Sequence, residues 1–362
     1  MQNLKLTLFE MKKQITSISF IIIIAIFIVF AITQMGEIFH YPVMNNQDIT
    51  YIKEHSGEAK NYLYVKASPK ELKTNTIDYL NRTISQGQMK KEDANVIKSL
   101  ITKMEQKNLS FDQAYKILSK ENLDLISWLD ACKAQFGNKV GTIDEINQNM
   151  KISLDGKGYS TVFFEKYVTY MQLICAMLIL PLFILLFTKD VKYNMNEIIS
   201  IQPISAIRYI LCRYIGCLLP VLSIVYILGL AMNFYIIHRF QTAGWQINYE
   251  IFFKDYMTFI VPTILFLSSL IMFLVLFLKK AIAVFPLYIL YVIFNATQSA
   301  FLGQNQTNSL YKCVIRLDNI IPYNNFILLN RGLYLVLSVI LIIISCILYK
   351  YSRNNPRRTV TL

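Results

Sequence analysis

Long stretches of this chain run apolar without a single Asp, Glu, Lys or Arg. Six of them are long enough to cross a bilayer: residues 14–36, 167–188, 214–237, 256–278, 281–311 and 332–349. A spanning helix needs roughly 20 apolar residues, because no water within the hydrocarbon can satisfy an open backbone. From Ile18 to Ile32 only Ser19 interrupts the run, and a segment apolar on every side is not an amphipathic core helix. A cleaved signal peptide would carry a shorter apolar core of ~7–15 residues and a small-residue cleavage site, and none follows Ala31. The fifth stretch exceeds one span, so its helix is placed at 281–300, and at the end of the sixth Lys350 can snorkel its amine to the interface. The pattern predicts an all-α integral membrane protein with six transmembrane helices at 14–35, 162–188, 207–237, 259–278, 281–300 and 333–351.

Between the first two spans, residues 36–161 change character. Their apolar positions recur at helical spacing, which marks a folded domain rather than a linker. Val96, Ile97, Leu100, Ile101 and Met104 form one stripe, Phe111, Ala114, Tyr115 and Leu118 a second, and Leu125, Leu129, Cys132 and Phe136 a third. Ser110-x-x-Gln113 and Thr142-x-x-Glu145 have the form of capping boxes, in which the first side chain and the fourth each satisfy an orphan N–H at a helix start. A mostly helical extracytoplasmic domain with its own small core is expected here.

Charge then sets the orientation. The 36 basic and 23 acidic residues give +13, yet charged residues make up only 16% of the chain, against about a quarter in a soluble domain. With the amino terminus in the cytoplasm, the inner side holds 13 basic residues, among them Lys12, Lys13, Lys189, Arg213, Arg353 and Arg358, and the short outer loops hold five, including Arg239 and Arg331. That asymmetry follows the positive-inside rule and places both termini in the cytoplasm of a cell-membrane protein. The segment 36–160 carries 17 basic and 16 acidic residues and is nearly neutral. The basic excess is thereby assigned to topology and contact with membrane lipids, without nucleic acid.

Catalytic chemistry is sparse. His40, His55 and His238 all map to the outer side, no HExxH motif occurs, and a hydrolytic triad on His55 is the one catalytic option left. Gly156-Lys157-Gly158 lacks the upstream glycine of a phosphate-binding loop, so no ATPase motif, metal site or cofactor site is read in this chain. Six cysteines show no CxxC or metal spacing. The charge-free windows argue against an ion-coupled transporter, which needs ionisable groups within its spans. Pro181, Pro220, Pro262 and Pro286 place one proline in each of four spans, either as a kink for a gate or as the ordinary proline content of membrane helices.

The informative segment is the cytoplasmic loop 189–206. Met195, Ile198, Ile199 and Ile201 can face apolar surface while Asn194, Glu197 and Ser200 face water, and Pro203 and Ser205 close that segment and open the next helix. By itself this is an interfacial anchor helix. In context the order Glu197, Ser200, Pro203, Ser205 resembles the permease subunit of type-2 ABC exporters. The resemblance extends to an amphipathic amino-terminal segment over 1–13, with Leu4, Leu8, Phe9 and Met11 as its apolar face, an outer re-entrant-like segment at 301–332, an outer loop at 238–258 and a cytoplasmic tail at 352–362. It covers about two-thirds of the chain; the large outer domain departs from compact members of the family. The resemblance implies a coupling helix in which Met195, Glu197, Ile198, Ser200, Ile201, Pro203 and Ser205 dock onto a separate nucleotide-binding ATPase subunit. It further implies a second permease copy or a homologous permease as partner, and an amphiphilic substrate such as a peptide, lipid, glycan or drug. The reading from a different class is a membrane sensor or immunity protein whose outer domain binds a ligand without transport.

Overall fold

A computed structural model describes residues 2–55, 60–154, 159–192, 199, 202–245, 250–301, 314–315 and 325–354. The chain divides into two compact units, Met1–Phe39 with Lys157–Leu362, and His40–Gly156.

The first unit is a helical bundle. Helix α1 (Gln2–Ile15) leads into α2 (Ile18–Met35), where Ser17 in extended conformation caps the N-terminus by accepting from the Phe20 N–H. Of the helices numbered below, α10 is Tyr159–Lys192 and α11 is Ala206–Thr242. Helix α12 (Glu250–Asp255) passes through one π-helical turn, Tyr256–Ile260, into α13 (Val261–Leu278). Helices α14 (Ala281–Phe301) and α15 (Asn325–Asn354) complete it.

Five helices are long and apolar enough to cross a membrane: Ile18–Met35, Phe163–Lys189, Ala206–Thr242, Phe252–Leu278 and Ile327–Arg353; the described apolar part of α14, Ala281–Thr297, is shorter. The chain is a helical, multi-pass membrane protein. Several helices outrun the charge-free windows. At 1.5 Å per residue the 37 residues of α11 span about 55 Å, against a hydrocarbon core of about 30 Å. The helix therefore extends past Phe240, where the sequence suggested an outer loop from residue 238. Proline also behaves less uniformly than one kink per span would suggest. Pro262 directly follows the π-helical turn, where the helical hydrogen-bond ladder is already shifted, whereas Pro181, Pro220 and Pro286 lie inside α-helices.

Two glycines permit close helix approach. A Cβ on Gly216 would stand 2.8 Å from the Glu10 Cβ, so α1 lies directly on α11 there. A Cβ on Gly229 would stand 2.7 Å from the Tyr167 ring, whose hydroxyl donates to the Val225 carbonyl.

The second unit comprises α3 (Asn46–His55), α4 (Lys60–Leu63), α5 (Pro69–Ser85), α6 (Lys91–Gln106), α7 (Phe111–Glu121), α8 (Ile126–Phe136) and α9 (Ile143–Ser153). Two three-residue strands absent from the sequence reading, β1 (Tyr64–Lys66) and β2 (Asn138–Val140), pair antiparallel with Val65 opposite Lys139. Strands this short carry no period to read; only their pairing defines them. The three stripes converge: Ile97, Leu100, Ile101, Met104, Phe111, Ala114, Leu118, Leu125, Leu129 and Cys132 are buried together. Val96, Tyr115 and Phe136 pack partly buried against them. Both capping boxes form, and Ser68 with Glu71 adds a third at the start of α5.

Candidate functional site

The loop between α10 and α11 is anchored at its far end by a cap. Ser205, two residues after the exposed Pro203, sits in extended conformation and accepts from the Arg208 N–H at 3.3 Å, so that α11 starts at Ala206. Proline cannot continue a ladder and biases its predecessor away from helix, which fixes this break. Of the residues read as an ATPase-docking segment, Pro203 and Ser205 are described; Met195, Glu197, Ile198, Ser200 and Ile201 lie outside the described residues.

What holds the loop is a residue from the other end of the chain. Arg353, in the last turn of α15, donates from Nη1 to the Ile204 carbonyl at 2.7 Å, and from Nη2 to the carbonyls of Ile199 at 3.1 Å and Gln202 at 3.2 Å. A planar guanidinium can hold three carbonyls in one geometry, and a lysine ammonium cannot reproduce that fork. One turn earlier, Tyr349 stacks on Tyr209 of α11 with ring centroids 6.1 Å apart. Tyr209 then accepts from Arg213 Nη1 at 3.0 Å, and the guanidinium lies 5.3 Å from its ring. Arg213 Nη2 reaches the Leu186 carbonyl at 2.6 Å, in the last turns of α10.

Arg213 thus joins α11 to α10, the Tyr209–Tyr349 stack joins α11 to α15, and Arg353 of α15 holds the loop carbonyls. The sequence reading assigned Arg353 and Arg213 to inner-side charge alone. A usable signal was present: Tyr209/Arg213 and Tyr349/Arg353 are both Tyr-x-x-x-Arg at helix-neighbour spacing.

A second polar cluster lies within the bundle. Thr263 Oγ1 accepts from Arg331 Nη1 at 3.0 Å and stands 3.2 Å from Gln172 Oε1 and 3.2 Å from the Val314 carbonyl. Arg331 Nη1 also donates to that carbonyl at 2.9 Å, and the Val314 N–H donates to Asn295 Oδ1 at 2.9 Å. Gln172, Thr263, Asn295 and Arg331 are all buried, and the Arg331 guanidinium lies 5.1 Å from the Phe259 ring.

Arg331, read from the sequence as an outer-loop charge, thus sits inside the helix Asn325–Asn354, and Asp255 is buried at the end of α12. The windows ended at the first charge, whereas the helices do not. The helices therefore do carry buried ionisable groups, which the charge-free windows alone excluded.

The histidines assemble no catalytic triad among the described residues. His55 stacks on Tyr51 and places Nδ1 at 3.1 Å from that residue's carbonyl, while His40 Nδ1 meets Asp48 Oδ1 at 2.8 Å. Burial pushes the Cys132 thiol up to about 11, which suits packing rather than nucleophilic chemistry. Among the described residues, no cluster of three or more His, Cys, Asp or Glu is placed to hold a metal ion.

Comparison with known proteins identifies no relative: no family model, no curated protein and no solved structure matches this chain.

Proposed function

We propose that this chain is the membrane-spanning permease subunit of an ATP-binding-cassette exporter, with six spans, both termini in the cytoplasm and His40–Gly156 as its extracytoplasmic domain. A separate nucleotide-binding ATPase subunit powers it. A second permease copy or a homologous permease completes the pathway, which moves an amphiphilic peptide, lipid, glycan or drug.

The observation that carries this reading is the Arg353 clamp on the carbonyls of Ile199, Gln202 and Ile204. A loop that only anchored the chain at the interface would need no tie to the last helix. A loop that transmits force does, and here Arg353 ties it to α15 while the Ser205 cap ties it to α11.

The test is co-purification of a nucleotide-binding ATPase subunit with this chain from its native membrane, followed by measurement of substrate-stimulated ATP hydrolysis. Glu197→Arg with Pro203→Ala is expected to weaken association about tenfold or more. Arg353→Ala is expected to preserve association but uncouple hydrolysis from substrate, with Arg353→Lys failing to restore it. Unchanged association and stimulation in both variants would remove the docking assignment.

The separate core of His40–Gly156 favours one other reading, a membrane sensor or immunity protein with a ligand-binding outer domain. ATP-dependent uptake of substrate into inverted vesicles separates the two, since a sensor moves nothing.

A further inference from the structure

Beside the Arg213 link, α1, the start of α2, the end of α10 and α11 line a half-open cavity of about 250 Å³. Its charged lining is Glu10, Lys13, Lys189 and Arg213, with Ser17 and Thr188 between them and Leu185 on its apolar side. Lys13 and Lys189 flank two charge-free windows directly, 14–36 and 167–188, so the cavity stands where two helices leave the hydrocarbon. On the same two helices α1 exposes Leu4, Leu8 and Phe9, and α2 exposes Ile18, Ile21 and Ile22, apolar surface available to acyl chains.

Glu10 is the decisive residue. It is only 8% exposed and is the one acidic side chain among the residues that line the cavity. Gly216 is what allows it there, because any side chain would push α1 off α11 at Glu10. A ligand that was only an anion would suit the three cations but would be repelled by Glu10. A ligand that was only a cation would leave three positive groups facing it.

We infer that this cavity binds the headgroup of an ethanolamine phospholipid, with its phosphate at Lys13 and Lys189 and its ammonium at Glu10. The primary ammonium has three N–H donors for a carboxylate, whereas a quaternary choline group has none and is recognised by aromatic faces. No lining residue is aromatic. The volume lies below the ~300–1,000 Å³ of drug-sized sites and fits a headgroup, leaving the acyl chains on the exposed apolar faces. The assignment does not depend on the transport reading.

Native mass spectrometry of the full-length chain from nanodiscs of equimolar phosphatidylethanolamine, phosphatidylglycerol and phosphatidylcholine tests it. Wild type is expected to retain the ethanolamine lipid preferentially. Glu10→Gln should bring ethanolamine and choline lipids to parity. Lys13→Ala with Lys189→Ala, both at exposed positions, should reduce retention of the ethanolamine lipid about tenfold, the loss of charge-assisted hydrogen bonds. Thermal melts compare the folding of each variant with wild type. An unchanged preference in Glu10→Gln, or unchanged retention in the double lysine variant, would overturn the inference. So would millimolar inorganic phosphate displacing the lipid as well as glycerophosphoethanolamine does, since the site would then read phosphate alone.

Discussion

The two units of this chain solve opposite packing problems. In His40–Gly156 the apolar side chains converge inward, and the large hydrophobic residues left exposed among those described are Met44, Tyr64 and Ile152. In the bundle the exposed residues include Ile18, Ile21, Ile22, Phe234, Phe285, Leu290, Val336 and Ile347, while Gln172, Thr263, Asn295, Arg213 and Arg331 are buried. Water drives the first arrangement. In hydrocarbon there is no gain from hiding apolar surface, so helix association relies on close packing and on polar groups that need one another. Small residues at Gly216 and Gly229 and the Thr263 hub are the bundle's equivalents of the Leu100–Leu129 core.

The largest expected effect tests that contrast directly. Leu129→Ala, at a fully buried position, should destabilise His40–Gly156 by about 2–5 kcal/mol, read as lost amide-exchange protection in that unit. The matched truncation Ile22→Ala, at a residue 54% exposed in α2, should change stability in nanodiscs by less than about 0.5 kcal/mol. Equal effects would mean that α2 faces protein rather than lipid.

Next in size is a polar-to-apolar exchange. Thr263→Val removes the hydroxyl shared by Arg331 and Gln172 and should cost the bundle about 1–3 kcal/mol, measured as a lower midpoint in thermal unfolding. The same exchange at the exposed Thr74 in α5 should stay within about 0.5 kcal/mol. If Thr263→Val were neutral, the buried cluster would be incidental to stability.

The smallest effect is electrostatic and belongs to the water-facing unit. The Lys139 ammonium, with the Ser68 hydroxyl and N–H, lowers the Glu71 carboxyl from 4.5 to about 2. A carboxyl more acidic in the folded state stabilises the fold above pH 4.5 and loses that contribution as the pH falls toward about 2. Glu71→Gln should therefore flatten the acid limb of the unfolding curve across that window, and added salt should shrink the difference because the pair is exposed. Parallel acid limbs for both proteins would show that Glu71 does not stabilise the unit through its ionisation.

Much of this was legible from residue order. The three stripes and the Ser110 and Thr142 capping boxes needed only helical spacing and local side-chain reach. The apolar windows needed only length. Less was legible at the candidate site. Pro203 and Ser205 announce the start of α11, but Arg353 lies about 150 positions away from the carbonyls it holds. Residue spacing has no access to such a pairing, and Arg353 reads as one more charge at a membrane boundary. Arg331 was obscured differently: a window that stops at the first charge cannot see that a buried threonine and a carbonyl make that charge tolerable inside a helix.

The sequence by itself determined that this protein crosses a membrane with apolar helices and inserts a separately cored helical unit after the first of them, because period and length are properties of neighbouring residues. The tertiary structure alone decided which charges would be buried, where Glu10 would come to rest, and which helix would hold the loop. Those outcomes depend on polar groups from distant positions meeting where water is scarce, and only the packed chain brings them together.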